Sequence, residues 1–216
     1  MRHAALIPAR LGSQRLPGKN LKQIDGRSLV QIAVDTAIEA GVFDQVCVSS
    51  DSEKMRVANA DFLLRPAWLG GPEASSIDVV RHFTRTFGDH PADGSSGLYD
   101  VVTLLQPTSP LRTAEDIRGA LLAMRNGDGV ISVTEAHPEV YTMGLFGRLR
   151  SGVLPVGPRL VTANGAIYAM TVKAILAGET WWDAGVVYGY EMPAARSVDI
   201  DTEADLELAR TLWTRK

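Results

Sequence analysis

Short apolar runs alternate with amphipathic segments along most of this chain, and that alternation constrains its fold more than any other feature. Residues 4–8 read as a first strand. Residues 28–40 read as a helix, with Leu29, Ile32, Ala33, Thr36 and Ala37 on one stripe and Gly41 as its stop. Residues 45–49 read as a buried strand and 61–65 as a short one. Residues 76–87 are helical, with Ile77, Val80, His82, Phe83 and Phe87 available for burial. A strongly apolar strand over 100–105 is ended by Pro107. A helix over 113–125 follows, with Thr113 as its cap and Glu115 and Asp116 in the first turn, where the helix dipole favours acids. Strands over 129–133, 164–170 and 186–191 and a closing helix over 202–213 complete the pattern. Strands separated by helices imply crossover connections. The expected fold is therefore α/β, a mostly parallel sheet with helices on both faces. Residues 143–156 alternate and contain Arg150-Ser151-Gly152, a hairpin signal, so an excursion interrupts the pattern there. The polar, turn-rich segment 88–97 is the expected mobile loop.

A chain of 216 residues fits one globular domain over 1–216 and is long enough to bury a core without a disulfide or metal staple. Its single cysteine, Cys47, lies in an apolar run and reads as a core residue. One cysteine forms no internal disulfide, so the expected setting is the reducing cytoplasm. The start of the chain has no long apolar stretch, and no run approaches the roughly 18 residues of a membrane span, so no membrane partner is expected. A net charge of −3 argues against a nucleic-acid partner, which demands a basic face.

The cations are unevenly placed. The first 27 residues hold six, Arg2, Arg10, Arg15, Lys19, Lys22 and Arg27, against one acid, Asp25. Three of them, Arg10, Arg15 and Lys19, fall in the loop after the first strand, Ala9-Arg10-Leu11-Gly12-Ser13-Gln14-Arg15-Leu16-Pro17-Gly18-Lys19-Asn20. Glycine lets a backbone approach an anion closely, and successive N–H groups can form a concave donor nest. A solvated surface loop would carry the same charges, but this one joins a strand to a helix, where α/β folds place ligands. It lacks the Walker A spacing, so an ATPase of that type is not indicated.

Three further constellations carry chemistry. Asp199 and Asp201 alternate around Ile200, so in an extended segment both carboxylates face one side. Hard oxygen ligands of this kind suit Mg²⁺, which takes one or two carboxylates plus substrate phosphates. The competing reading makes Asp201 or Thr202 the cap of the last helix. In Gln106-Pro107-Thr108-Ser109-Pro110-Leu111-Arg112, two prolines stiffen a polar loop at the carboxyl edge of the sheet. There Gln106, Thr108, Ser109 and Arg112 offer donors and acceptors. In Asn164-Gly165-Ala166-Ile167-Tyr168, a glycine at a strand start lets a ligand approach, or the tyrosine is simply buried.

The whole chain resembles the CMP-sialic acid synthetases (acylneuraminate cytidylyltransferases), relatives of the CMP-Kdo synthetases. The matching pieces run in order: residues 7–13 with 16–20; Ser49-Ser50-Asp51; Arg65-Pro66 followed by Ala74-Ser75-Ser76; residues 105–112; residues 164–168; and Asp199-Ile200-Asp201-Thr202. Gln-Pro-Thr-Ser-Pro points to the sialate-type branch. The resemblance implies a three-layer Rossmann-like nucleotidyltransferase fold. Arg10, Ser13 and Lys19 would hold the CTP triphosphate, with Ala9 and Gly12 also at the substrate. Asn20, Arg65, Ala74 and Ser76 would cradle cytosine and ribose, and Asp199 and Asp201 would bind Mg²⁺. Gln106 and Tyr168 would contact the acceptor sugar, with Asn164 among the substrate-binding residues. Arg10, Lys19 and Asp201 would be catalytic, in transfer of CMP from CTP to a sialic-acid-like acid with release of pyrophosphate. A dimerisation excursion over about 138–162 would make a homodimer. Three positions depart from the family pattern: Gln14 stands for a lysine, Pro72 for an aspartate, and Thr162 for an arginine. Arg15 is the cation nearest the first gap, and Arg159 lies near the third. A different small acid such as a phosphonate is an alternative acceptor, and a catalytically weak nucleotide-binding protein an alternative function.

Overall fold

The computed structural model describes residues 1–13, 15–71, 73–87, 98–135, 141–143, 149–151 and 159–214. Strand β1 (His3–Pro8) leads through the cationic loop to a short ribbon, β2 (Gln23–Ile24) and β3 (Arg27–Ser28). Helix α1 (Leu29–Ala40) follows. Ser28 caps it by accepting the Gln31 N–H, and Gly41 ends it. Then come β4 (Gln45–Ser50), β5 (Asp61–Leu64), α2 (Ser76–Phe87) and β6 (Val101–Leu105). Helix α3 (Ala114–Met124) opens with a full capping box between Thr113 and Asp116. Strand β7 (Gly129–Glu135), the pair β8 (Tyr141–Met143) and β9 (Leu149–Ser151), and the long β10 (Arg159–Thr171) come next. Helix α4 (Val172–Leu176), β11 (Val187–Glu191) and α5 (Glu203–Trp213) close the chain.

The main sheet runs β11-β7-β10-β6-β1-β4-β5. All these neighbours pair in parallel except at β10, which is antiparallel to both β6 and β7. Strand β10 enters from the hairpin β8–β9 rather than from a crossover helix, which is why its direction is reversed. Alternate residues of one strand serve different layers. Ala5 and Ile7 pack with α1 and α3, whereas Ala4 and Leu6 pack with α2 and α4. The result is the expected three layers.

Sequence and structure differ in a few places. Strand β10 begins at Arg159, not 164, so Asn164-Gly165 falls inside it. Strands β8 and β9 pair antiparallel with Met143 opposite Leu149, and Arg150 and Ser151 are strand residues rather than turn residues. On α2 the buried face is centred on Val79, Val80 and Phe83, with His82 and Phe87 only half buried. The 88–97 loop, Gln14 and Pro72 lie outside the described residues, as does most of the 138–162 excursion. Cys47 is buried and free, and burial with Asp61 nearby pushes its thiol up to about 12, so it behaves as a core side chain. Among the described residues no helix is long and apolar enough to cross a membrane.

Candidate active site

A third apolar cluster, separate from the two faces of the sheet, decides the site. It joins Leu16 of the cationic loop, Leu29 and Ile32 of α1, Leu111, Ile200, and Leu206 and Ala209 of α5. Burying Leu16 and Ile200 together brings the cationic loop beside the Asp199–Asp201 segment, although nearly the whole chain separates them. Gly18 adopts φ 64°, a left-handed conformation that suits glycine, and the chain then turns so that Lys19 faces the acids. Lys19 Nζ lies 2.9 Å from Asp201 Oδ1, and Arg15 Nη1 lies 2.8 Å from Asp201 Oδ2. Arg15 therefore does reach the site, next to the position where the family pattern has lysine.

The capping question resolves in favour of Thr202. Its hydroxyl accepts the Asp205 N–H, and Asp205 returns the bond to complete the capping box. Asp201 is thus left for the cleft. Ile200 N donates to Thr108 O at 2.8 Å, which ties this segment to the loop after β6. Burial raises the Asp199 carboxyl above its ordinary value, a bond with Thr108 opposes that rise, and Asp201 adds to it. Two carboxylates that line one cleft can take a cation between them. Among the described residues no group of three or more His, Cys, Asp or Glu gathers. A metal held by this pair would take its other ligands from phosphate and water, as Mg²⁺ does.

A cleft of about 290 Å³ opens over the carboxyl ends of β1 and β6. It is lined by Arg10, Ser13, Lys19, Asn20, Arg65, Ala74, Ser76, Gln106, Asp199 and Asp201, all expected from the sequence. Pro8, Leu69, Gly71, Ser75, Val79, Pro107 and Thr108 complete the wall. Several polar groups here hold unused bonding capacity. Asn20 is 6% exposed; its amide donates to Arg10 O at 3.0 Å, while its Oδ1 is buried without a partner. That oxygen is an acceptor available to a ligand hydroxyl or amine. Arg65 is 5% exposed with an unpartnered Nε. Burial lowers its guanidinium from the usual range, Asp51 opposes the shift, and Arg10 adds to it. Ser76 Oγ accepts a bond from the Trp181 indole at 3.1 Å.

Four expected site residues do not line this cleft. Ala9 is fully buried in the core, and its N–H donates to Ser49 O at 2.9 Å. Gly12 is exposed at the tip of the loop. Tyr168 packs against Trp181, ring centroids 5.2 Å apart. Asn164 is committed internally: its Oδ1 accepts from Ser132 Oγ and Ala166 N, and its Nδ2 donates to Ser197 Oγ. With Gly165 at φ 80° it shapes a bulge where the β10–β7 register shifts. The close approach at Gly165 is to Asp199, 3.4 Å from where a Cβ would lie, not to open space. Arg112, expected to offer donors in the polar loop, is 1% exposed. Its Nη1 donates to Gln106 O and Ala166 O, so it pins the loop to β10. Burial lowers it to about 10, so it stays charged at neutral pH.

By its place in the first turn of α3, Asp116 reads as a helix-dipole acid. It is fully buried and forms a two-armed pair with Arg196, at 2.9 and 2.8 Å. This anchors the strand-to-helix segment that carries Asp199. Burial alone would raise the Asp116 carboxyl. The Arg196 bond and the Thr113 N–H and hydroxyl outweigh burial and hold it below the usual range. A lowered folded value stabilises the protein above pH ~4, the unfolded value, and that support is lost as pH falls through the folded one. Arg196→Ala is expected to cost about 2 kcal/mol at neutral pH, below the usual figure for a broken buried pair because Arg196 is 36% exposed. Urea denaturation at pH 7 and pH 3 checks this, and the cost should shrink at pH 3.

A mostly parallel sheet with a cationic loop after its first strand and a carboxylate pair facing that loop defines a nucleotidyltransferase-type α/β protein. The family model described as cytidylyltransferase matches residues 4–144, and the chain belongs to that family. It is 30% identical to an N-acylneuraminate cytidylyltransferase of Streptococcus agalactiae serotype V, over 95% of this chain and 52% of that protein. It is 27% identical to a CMP-N,N'-diacetyllegionaminic acid synthase of Legionella pneumophila, covering 98% and 96%. It is 30% identical to a 3-deoxy-manno-octulosonate cytidylyltransferase of Anaeromyxobacter sp. strain K, covering 98% of each. The chain spans about half the length of the acylneuraminate relatives it matches. The structure of a CMP:2-keto-3-deoxy-manno-octonic acid synthetase complexed with CTP shares the fold, with TM-score 0.78 at 18% identity over 100% of this chain and 99% of that one.

Proposed function

We propose that the chain transfers CMP from CTP to a nonulosonic sugar acid, with release of pyrophosphate and dependence on Mg²⁺. The observation that carries the reading is the convergence of Arg10, Ser13 and Lys19 with Asp199 and Asp201 on one cleft, Lys19 and Asp201 in direct contact. The names of the relatives, N-acylneuraminate, legionaminic acid and 3-deoxy-manno-octulosonate enzymes, supply the acceptor class.

Each residue then has a task. Arg10, Lys19 and the loop N–H groups bind the triphosphate. Asn20 Oδ1, Arg65, Ala74 and Ser76 face the nucleoside half of the cleft. Gln106, at the end of β6, orients the acceptor so that its anomeric hydroxyl oxygen faces the α-phosphorus. That oxygen forms the new P–O bond, the bond to the β-phosphate bridge breaks, pyrophosphate leaves, and the hydroxyl gives up its proton. Asp199 and Asp201 would hold Mg²⁺, which neutralises phosphate charge when bound. Lys19 and Arg15 hold Asp201 in its place in the nucleotide-free cleft. Rate acceleration comes from positioning and charge stabilisation. Thr162, opposite Thr134 on β7, removes the family's cation from the acceptor side, so the acceptor carboxylate must be met by another group. A homodimer in the cytoplasm fits the same reading.

The test compares CTP, UTP, ATP and GTP by thermal shift, then measures pyrophosphate release with Mg²⁺ and a panel of 2-keto-3-deoxy sugar acids and phosphonates. CTP alone should raise the melting point strongly, and release should need both Mg²⁺ and a sugar acid. Binding of CTP without release for any acid would instead support a nucleotide-binding protein.

A further inference from the structure

Two walls of the cleft meet at a carboxylate that does not itself line it. The Leu11 N–H of the cationic loop donates to Asp51 Oδ1 at 2.9 Å, and Ser50 Oγ reaches the same oxygen. From the other side, the turn at 67–70 presses on Asp51. A Cβ on Gly70 would lie 2.6 Å from Asp51 Oδ2, so only glycine fits there. Strand β4, which ends one residue before Asp51, also grips both walls through its backbone. Ser49 O accepts the Ala9 N–H at 2.9 Å, and Ser50 O accepts the Arg65 N–H at 2.8 Å. The walls also meet directly through Arg10 Nη1, which donates to Gly71 O at a long 3.3 Å. The buried Arg65 guanidinium feels Asp51 as its attracting charge and Arg10 as its repelling one.

We propose that Asp51 is a positioning residue for nucleotide binding. Its carboxylate locks the phosphate-side loop (residues 9–13) to the base-side loop (65–71) and sets the spacing of Arg10 and Arg65. The proposal rests on reading the cleft as a CTP site. The physical ground is that Arg10 and Arg65 are like charges on two adjoining loops, and a single carboxylate held against both loops fixes where both can sit. A hydrogen bond from a backbone N–H to an ionised acceptor is among the stronger kinds, and its loss leaves the loop end without its anchor.

Three variants separate the contributions. Asp51→Asn keeps an oxygen for the Leu11 N–H but removes the charge. Asp51→Ala removes both. Gly70→Ala leaves the carboxylate in the sequence and displaces it. The first readout is hydrogen exchange of the nucleotide-free protein. Asp51→Ala should speed exchange in residues 9–13 and 65–71 together, with Asp51→Asn intermediate and the remaining sheet unchanged. The second readout is CTP affinity by calorimetry. It should weaken about tenfold in Asp51→Asn and up to about a hundredfold in Asp51→Ala, the range for losing one charge-assisted bond. Gly70→Ala should weaken it comparably without altering any charge. The CTP preference over UTP should narrow as Arg65 loses its fixed position. Unchanged exchange in both loops, or wild-type CTP affinity in Asp51→Ala, overturns the proposal. If the wild-type protein binds no CTP, the reading of the cleft fails, and the exchange experiment still judges Asp51 on its own.

Discussion

Asp201→Ala is expected to lower CTP-dependent turnover by about 10²–10³ while the protein stays folded. Asp201 sits at the crossing of the site: Lys19 Nζ and Arg15 Nη1 both reach it, and it shares the cleft with Asp199. Its side chain is 38% exposed, so its ion pairs add little to stability and their loss should barely move the melting point. Lys19→Ala should depress turnover to a similar degree, through the triphosphate rather than the metal. Steady-state pyrophosphate release beside a circular-dichroism melt separates activity from folding. Near-wild-type turnover in either variant would refute the site.

Ile200→Ala should act on both at once. Ile200 is fully buried in the cluster with Leu16 and Leu206, and it lies between the two carboxylates. Truncating it leaves a cavity and costs about 3 kcal/mol, in the range for buried Ile→Ala changes. In a chain of this size that shift lowers the melting point by roughly 6–12 °C. The cavity also frees the segment that orients Asp199 and Asp201 against the loop holding Lys19. CTP affinity measured well below the melting point should therefore fall as well. A full stability loss with unchanged CTP affinity would show that this cluster supports the fold but does not set the site.

The cleft was legible in the sequence to the extent that its residues come from loops next to strong local signals. The apolar run before Arg10, the prolines around Gln106 and the Asp-x-Asp before a capped helix each mark a strand end, and ten expected residues line one cleft. What stayed hidden is long-range. Nothing local tells that Asp116 is buried under Arg196, because the same Thr-x-x-Asp pattern serves an ordinary cap. Asn164-Gly165 reads as a ligand-approach site, yet the register shift it makes depends on Ser132 from a different strand. Arg112 looks like a donor for a ligand until Gln106 O and Ala166 O are seen to occupy it. Asp51 belongs to a family motif but shows its place only when Leu11 and Gly70 close on it from two sides. The antiparallel β10 follows from the excursion before it, which alternation alone could mark but not orient.

The most direct measurement supplies CTP, Mg²⁺ and a 2-keto-3-deoxy sugar acid carrying ¹⁸O at its anomeric hydroxyl, and weighs the products by mass spectrometry. Attack of that oxygen on the α-phosphorus places the label in a CMP–sugar acid conjugate and leaves pyrophosphate unlabelled. A conjugate without the label, or CTP recovered intact with every acid offered, would contradict the account.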